Sequence, residues 1–180
     1  MKEKELETDE KIRVANLYSD LGLEYVKFER ERKREIEIRA GVSLALIGVL
    51  ITLILNLLDF SYWKNASNII EVVGYLTITV LLCIPLITIL KSLHYLLKVI
   101  LTKGYNGVNI PAITDKILEE SLLKTQRNIF KSHQDYIKQN RSLNQEKALD
   151  FNNGVRWLKY TLISLVIVFV VFSIIKSVLS

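Results

Sequence analysis

The chain has 180 residues, 50% of them hydrophobic, and a formal net charge of +5. A single cysteine, Cys83, excludes an intrachain disulfide and a thiolate metal site, and two separated histidines form no ligand cluster, so we expect neither metal nor cofactor. The sequence also lacks a glycine-rich phosphate loop, a serine nucleophile motif and a carboxylate pair. These features argue against most enzyme classes, and the positive charge fits anionic lipid headgroups at least as well as nucleic acid.

Three runs of the chain contain no Asp, Glu, Lys or Arg: residues 40–58, 72–90 and 160–175. A bilayer core about 30 Å thick needs about 20 apolar residues of helix, which the first two runs nearly supply. The third run is shorter, and Trp157 and Lys176 at its ends are placed to extend it. Buried helices of a soluble bundle, the alternative, are usually apolar on one side only. These runs are apolar all round, so we predict three transmembrane helices.

The segment before the first run, residues 1–39, is predicted to form a charged cytoplasmic helix that continues into the first span. It contains no proline and only one glycine, and acidic and basic residues are dense after Tyr25. We expect most of this charge to lie on a solvated face.

One face of the first span combines small and polar residues at spacings of four and three. Its members are Gly41, Ala45, Gly48, Thr52, Asn56, Asp59 and Trp63. Small residues allow helices to approach closely in lipid, which assigns helix packing to Gly41, Ala45 and Gly48. Polar side chains in lipid need a partner or water, which makes the other four candidates for pore lining or subunit contact. Ordinary packing against the second or third span is the alternative.

The second span and its cytoplasmic extension complete a transmembrane hairpin over residues 40–103. A cytoplasmic helical region, residues 104–156, follows, with a helix predicted over 113–149 and a break at Asn153-Gly154 before the last transmembrane helix, residues 157–180. The helix over 113–149 is rich in Asn and Gln and needs a partner, because burying its few apolar side chains contributes only about 1.5–3 kcal/mol each. The N-terminal helix is the nearest candidate, and the same helix of neighbouring subunits is the next. Asn140 and Asn144 are therefore further candidates for pore lining or subunit contact.

The distribution of cations predicts one orientation for all three spans. Lys and Arg are frequent before the first span and between the second and third, whereas the 59–71 connection holds only Lys64. By the positive-inside rule the N-terminus is cytoplasmic and the C-terminus is outside.

A weak catalytic signature remains in the cytoplasmic region. Arg127 and His133 resemble the R-x4-6-H pattern of HEPN ribonucleases, in which Arg and His converge on an RNA phosphate, usually across a dimer. On a continuous helix the two side chains lie about 120° apart, so a solvated helix face is the simpler interpretation.

The whole layout resembles small membrane effectors of bacterial antiphage defence, most of all the membrane accessory proteins of type VI (RNA-targeting) CRISPR systems. The charged helix entering the span of Gly41, Ala45 and Gly48, the basic region around Arg127 to His133, and the Asn/Gln-rich run before Trp157 carry this resemblance. It implies a ring-shaped pore in the bacterial inner membrane that permeabilises or depolarises the infected cell. It also implies an RNA-guided nuclease complex, or its RNA products, as partner.

We therefore predict an all-α, oligomeric integral membrane protein with three transmembrane helices and long cytoplasmic amphipathic helices. The predicted function is that of a pore, with the lipid bilayer and further copies of the chain as its partners. Two alternatives belong to other classes: a membrane-tethered HEPN-like ribonuclease, and a non-conducting scaffold for a cytoplasmic partner.

Overall fold

The computed structural model describes residues 2–57, 68–101 and 122–179, and the regular elements in these ranges are three helices. They are α1 (Lys2–Leu57), α2 (Ile69–Leu101) and α3 (Leu122–Leu179). Each contains a stretch long and apolar enough to cross a membrane. The predicted all-α class is confirmed, as is the continuation of the N-terminal helix into the first apolar run. Asp59, Trp63 and the first part of the 113–149 helix lie outside the described residues.

The predicted helix break at Asn153-Gly154 is wrong. α3 continues through both residues, and none of the described glycines has a positive φ. Gly154 is buried, and a Cβ built on it would lie 2.7 Å from Leu96 Cγ. Its missing side chain therefore allows α2 and α3 to approach closely, which is a packing role rather than a turn.

The chain divides into two compact units. The three-helix unit consists of residues 36–102 and 147–180, and the helix-pair unit of residues 1–35 and 103–146. The core of the three-helix unit combines residues of all three helices: Ala40, Ile47, Leu50, Ile54, Ile78, Leu82, Ile89, Leu96, Val99, Leu158 and Val168.

The outer surface of the three-helix unit carries many large apolar side chains. Val42 is 68% exposed, and Val49, Ile84 and Phe169 are exposed as well. Apolar side chains on every face of a helix are typical of a membrane span and unfavourable in water. The packing of this unit therefore favours a membrane protein over a soluble bundle.

In the helix-pair unit, α1 and α3 run parallel to each other. The Tyr18 and Phe130 rings meet edge to face at 5.5 Å, and Arg30 Nε donates to the Tyr136 hydroxyl at 3.1 Å. Residue numbers increase together along both helices, as parallel packing requires. The prediction that the N-terminal helix packs against the Asn/Gln-rich helix is confirmed for the described residues of both.

Candidate functional site

The face of Gly41, Ala45, Gly48, Thr52 and Asn56, here called the small-polar face, is not used for packing inside the three-helix unit. α1 contributes Ala40, Ile47 and Ile54 to the core, on a face about 140° around the helix from the small-polar face. Ala45, Gly48, Thr52 and Asn56 are exposed. A Cβ added to Gly41 or Gly48 would meet no described atom within 4 Å. Within the described part of this unit, the alternative of ordinary intrachain packing finds no support.

Thr52 and Asn56 are the polar groups of this face. Thr52 Oγ1 donates to the carbonyl of Gly48 at 3.1 Å, so the hydroxyl is satisfied within its own helix. A carboxamide such as that of Asn56 has two donors and one acceptor to satisfy. An exposed carboxamide in the uncharged run of α1 favours contact with water or with another polar group over lipid.

A second set of polar groups is buried between the helices of the three-helix unit. Ser92 Oγ donates to the Gly154 carbonyl at 2.7 Å, and Thr161 Oγ1 donates to Thr88 Oγ1 at 2.9 Å. Thr88 Oγ1 in turn donates to the carbonyl of Pro85 at 3.0 Å. The first two bonds join α2 to α3 and the third lies within α2, all in the apolar core, where polar groups need partners. Their role is structural.

Contacts of charged side chains also link the helices of the three-helix unit, close to the charged segments of the sequence. Lys147 is only 1% exposed, and its Nζ donates to Glu37 Oε1 at 2.6 Å. Lys98 Nζ lies 3.0 Å from Asp150 Oδ2, and Lys91 Nζ lies 4.3 Å from the centre of the Trp157 ring. Aromatic rings and cations are enriched at membrane interfaces, so this cluster marks one boundary of the apolar region.

Asn140 and Asn144 are buried inside a single chain, which corrects the expectation that they line a pore or a subunit contact. Both are fully buried within the helix-pair unit. Asn144 Nδ2 donates to the carbonyl of Glu29 at 3.0 Å and to its carboxylate at 2.6 Å. Asn140 Nδ2 donates to the Tyr136 carbonyl at 2.9 Å. The Asn144 carboxamide is used inside one chain because Glu29 of α1 supplies acceptors at its level, and the Asn140 amide group bonds within α3.

The structure does not bring Arg127 and His133 together within one chain. Arg127 is exposed, whereas His133 is 7% exposed and packs against Gly22 of α1. A Cβ on Gly22 would lie 2.9 Å from His133 Nδ1, and that nitrogen has no hydrogen-bond partner among the described residues. The histidine therefore belongs to the helix–helix contact.

Sequence reasoning missed the buried ionic residues Glu29 and Lys147, and the half-buried Glu37 that pairs with Lys147. The expectation that the charge of the N-terminal helix is mostly solvated does not hold for Glu29, which is 4% exposed. The spacing of the polar residues could have indicated this buried face. Five buried residues recur every three or four positions on one side of α3: His133, Tyr136, Asn140, Asn144 and Lys147. The buried face of this helix is polar, so a search for apolar periodicity does not find it.

We expect replacement of Asn144 by Leu to destabilise the helix-pair unit by about 1–3 kcal/mol. The change keeps the volume but leaves the buried Glu29 groups without this donor. Hydrogen exchange of residues 9–35, measured by mass spectrometry on the full chain, reports the local opening free energy. Gln145→Leu is the control, because Gln145 is the exposed neighbour. Equal protection in the two variants would contradict a stabilising role for Asn144.

Comparison of the chain with protein-family models, with curated proteins and with solved structures finds no match.

Proposed function

We propose that copies of this chain assemble in a bacterial inner membrane into a pore that permeabilises or depolarises the cell during antiphage defence. The observation that carries the proposal is the small-polar face, which is turned away from the core of its own three-helix unit. Three helices are too few to enclose a water-filled channel, so a ring of copies supplies the wall. In that ring the small residues permit close approach between helices, and Thr52 and Asn56 meet water or the neighbouring copy.

The proposed orientation has a cytoplasmic N-terminus and an external C-terminus. Lys and Arg concentrate in the segments before the first span and between the second and third, in agreement with the positive-inside rule. The helix-pair unit is then cytoplasmic, where an RNA-guided nuclease complex or its RNA products can reach it. That trigger follows from the resemblance to type VI CRISPR accessory proteins.

A permeability assay tests the proposal. Cells carrying the chain and an active RNA-targeting nuclease are expected to lose membrane potential, measured with a voltage-sensitive dye. Combined Thr52→Val and Asn56→Leu substitutions remove the polarity of the small-polar face and should reduce the depolarisation severalfold. Thr77→Val is the matched control, because Thr77 is exposed on α2 and bonds only within its own helix to the carbonyl of Val73 among the described contacts.

Two results would contradict the pore. One is an unchanged membrane potential in activated cells that contain the chain at normal levels in the membrane. The other is a strictly monomeric mass for the purified full chain. If Thr77→Val reduces the depolarisation as much as the combined variant does, the small-polar face has no specific role in the pore.

A further inference from the structure

The helix-pair unit carries opposite charge on its two outer edges. On α1, residues Gly22, Val26 and Glu29 are buried against α3. Glu24 and Glu31, seven residues apart, are exposed on nearly the opposite side of the helix. Exposed Leu17 precedes them at the same spacing. These three residues define the acidic edge.

The outer edge of α3 has the same spacing and the opposite sign. His133, Asn140 and Asn144 face α1, and exposed Lys131 and Lys138 lie about 120–180° around the helix from them. Exposed Lys124 precedes them by seven residues. These three lysines define the basic edge. Two exposed residues of the other sign lie within about 60° of each edge, Arg13 and Lys27 on the acidic side and Asp135 and Glu146 on the basic side. Exposed Asp20 and Glu35 on the acidic side, and Arg127 on the basic side, keep the sum of charges on each edge at its own sign.

The two edges are in register along the helix axes. The contact between Gly22 and His133 sets the level of Glu24 between those of Lys131 and Lys138. Because the two helices are parallel, Glu24 of one unit lies at the same level, between Lys131 and Lys138, when a second unit is placed beside the first in the same orientation. A neighbour placed edge to edge therefore brings each glutamate beside a lysine.

We propose that helix-pair units associate head to tail, the acidic edge of one copy against the basic edge of the next. Glu24 then lies between Lys131 and Lys138 of the next copy, and Glu31 lies beside its Lys138. A heterologous contact of this kind repeats and closes into a ring when the rotation between copies permits. The inference deepens the proposed function, since it names the contact that holds the ring together, and it rests on that function for the assembly itself.

A second copy has charges complementary to both edges, whereas a partner of one sign is complementary to only one of them. An RNA or a lipid headgroup layer would use the lysines and be repelled by the glutamates. Exposed ion pairs are individually weak, so these pairs fix register and partner choice more than they add affinity.

Charge reversal on the full chain tests the contact. Variant A carries Glu24→Lys and Glu31→Lys, and variant B carries Lys131→Glu and Lys138→Glu. We expect each alone to lose the wild-type assembly mass, because both of its edges then have one sign. Expressed together, A and B should restore the mass as mixed assemblies that alternate A with B, and all four substitutions in one chain should restore it as well.

A disulfide gives a positive readout. In a Cys83→Ser background, a chain with Glu24→Cys and a chain with Lys138→Cys, carrying different tags, should form a mixed dimer on mild oxidation. The two edges lie on opposite sides of the helix-pair unit, so the bond forms only between copies. Native mass spectrometry and the tags identify the product.

Several outcomes would overturn the proposal. Wild-type mass in A and in B would place the contact elsewhere, and failure of the mixture to assemble would exclude pairing by these charges. Loss of RNA binding in B at unchanged mass would make the basic edge a nucleic-acid site. Assembly mass and ion flux are separate measurements, so an intact ring without flux would contradict the pore alone.

Discussion

Gly154→Leu is expected to destabilise the three-helix unit by forcing α2 and α3 apart. An added Cβ would lie 2.7 Å from Leu96 Cγ and 2.8 Å from its Cδ2, and Leu96 is fully buried. The side chain cannot move aside without displacing the core, and overpacking of this kind costs about 1–3 kcal/mol or more. The separation of α2 and α3 would also strain the bond from Ser92 Oγ to the Gly154 carbonyl. Thermal unfolding in detergent, followed by circular dichroism, measures the effect.

The control for this prediction is Gly41→Leu, where an added Cβ meets no described atom within 4 Å. In a detergent that keeps the chain monomeric, that variant should unfold near the wild-type temperature, because helix propensity favours Leu over Gly by up to about 1 kcal/mol. A second change, Leu96→Ala, should recover part of the loss in Gly154→Leu, since the two sites share one space. Equal unfolding temperatures for the two leucine variants would contradict the close packing of α2 on α3.

Removal of the Glu37 carboxylate is expected to lower the free energy of unfolding more than removal of the Lys147 charge that it neutralises. In Glu37→Leu the ammonium of Lys147, itself 1% exposed, loses the oxygen at 2.6 Å. Breaking a buried pair by removal of one partner costs about 3–5 kcal/mol, and we expect about 2–3 kcal/mol here because Glu37 is partly exposed. Lys147→Met removes the buried charge and keeps most of the volume, so its cost should be near zero.

The double variant separates the two explanations for a loss of stability. If the uncompensated ammonium is the cause, Glu37→Leu combined with Lys147→Met should be about as stable as Lys147→Met alone. Denaturant unfolding of the purified full chain in a fixed detergent gives the three free energies. Additive losses in the double variant would show that the two side chains act independently and that the 2.6 Å contact contributes little.

Much of the fold was predictable because it follows from where the chain is apolar. Uncharged runs over residues 40–58, 72–90 and 160–175 identify the spans, and the dense charge before Arg39 marks the helix that precedes the first of them. The sequence also predicted that the residues of the small-polar face share one side of α1, but not what that side contacts. Small and polar residues at helical spacing have to lie on one side of α1, whatever that side contacts.

The candidate site was less predictable where polar residues serve the interior of one chain. Asn140 and Asn144 have the composition of a subunit contact, and only the position of Glu29 on α1 shows that the partner of Asn144 is internal. Gly154 illustrates the same limit, because an Asn-Gly pair is typical of a turn. The contact with Leu96 of another helix makes the glycine a packing residue instead.

The sequence by itself determined the number of apolar spans, the charged character of the helix pair and the grouping of small and polar residues along α1. These properties depend on composition and on the helical repeat, which are local. The tertiary structure alone decided which polar groups are buried, as in the contacts of Lys147 with Glu37 and of Asn144 with Glu29. A buried polar group is stable only with a matching donor or acceptor from another helix, and that match depends on the register between helices distant in sequence.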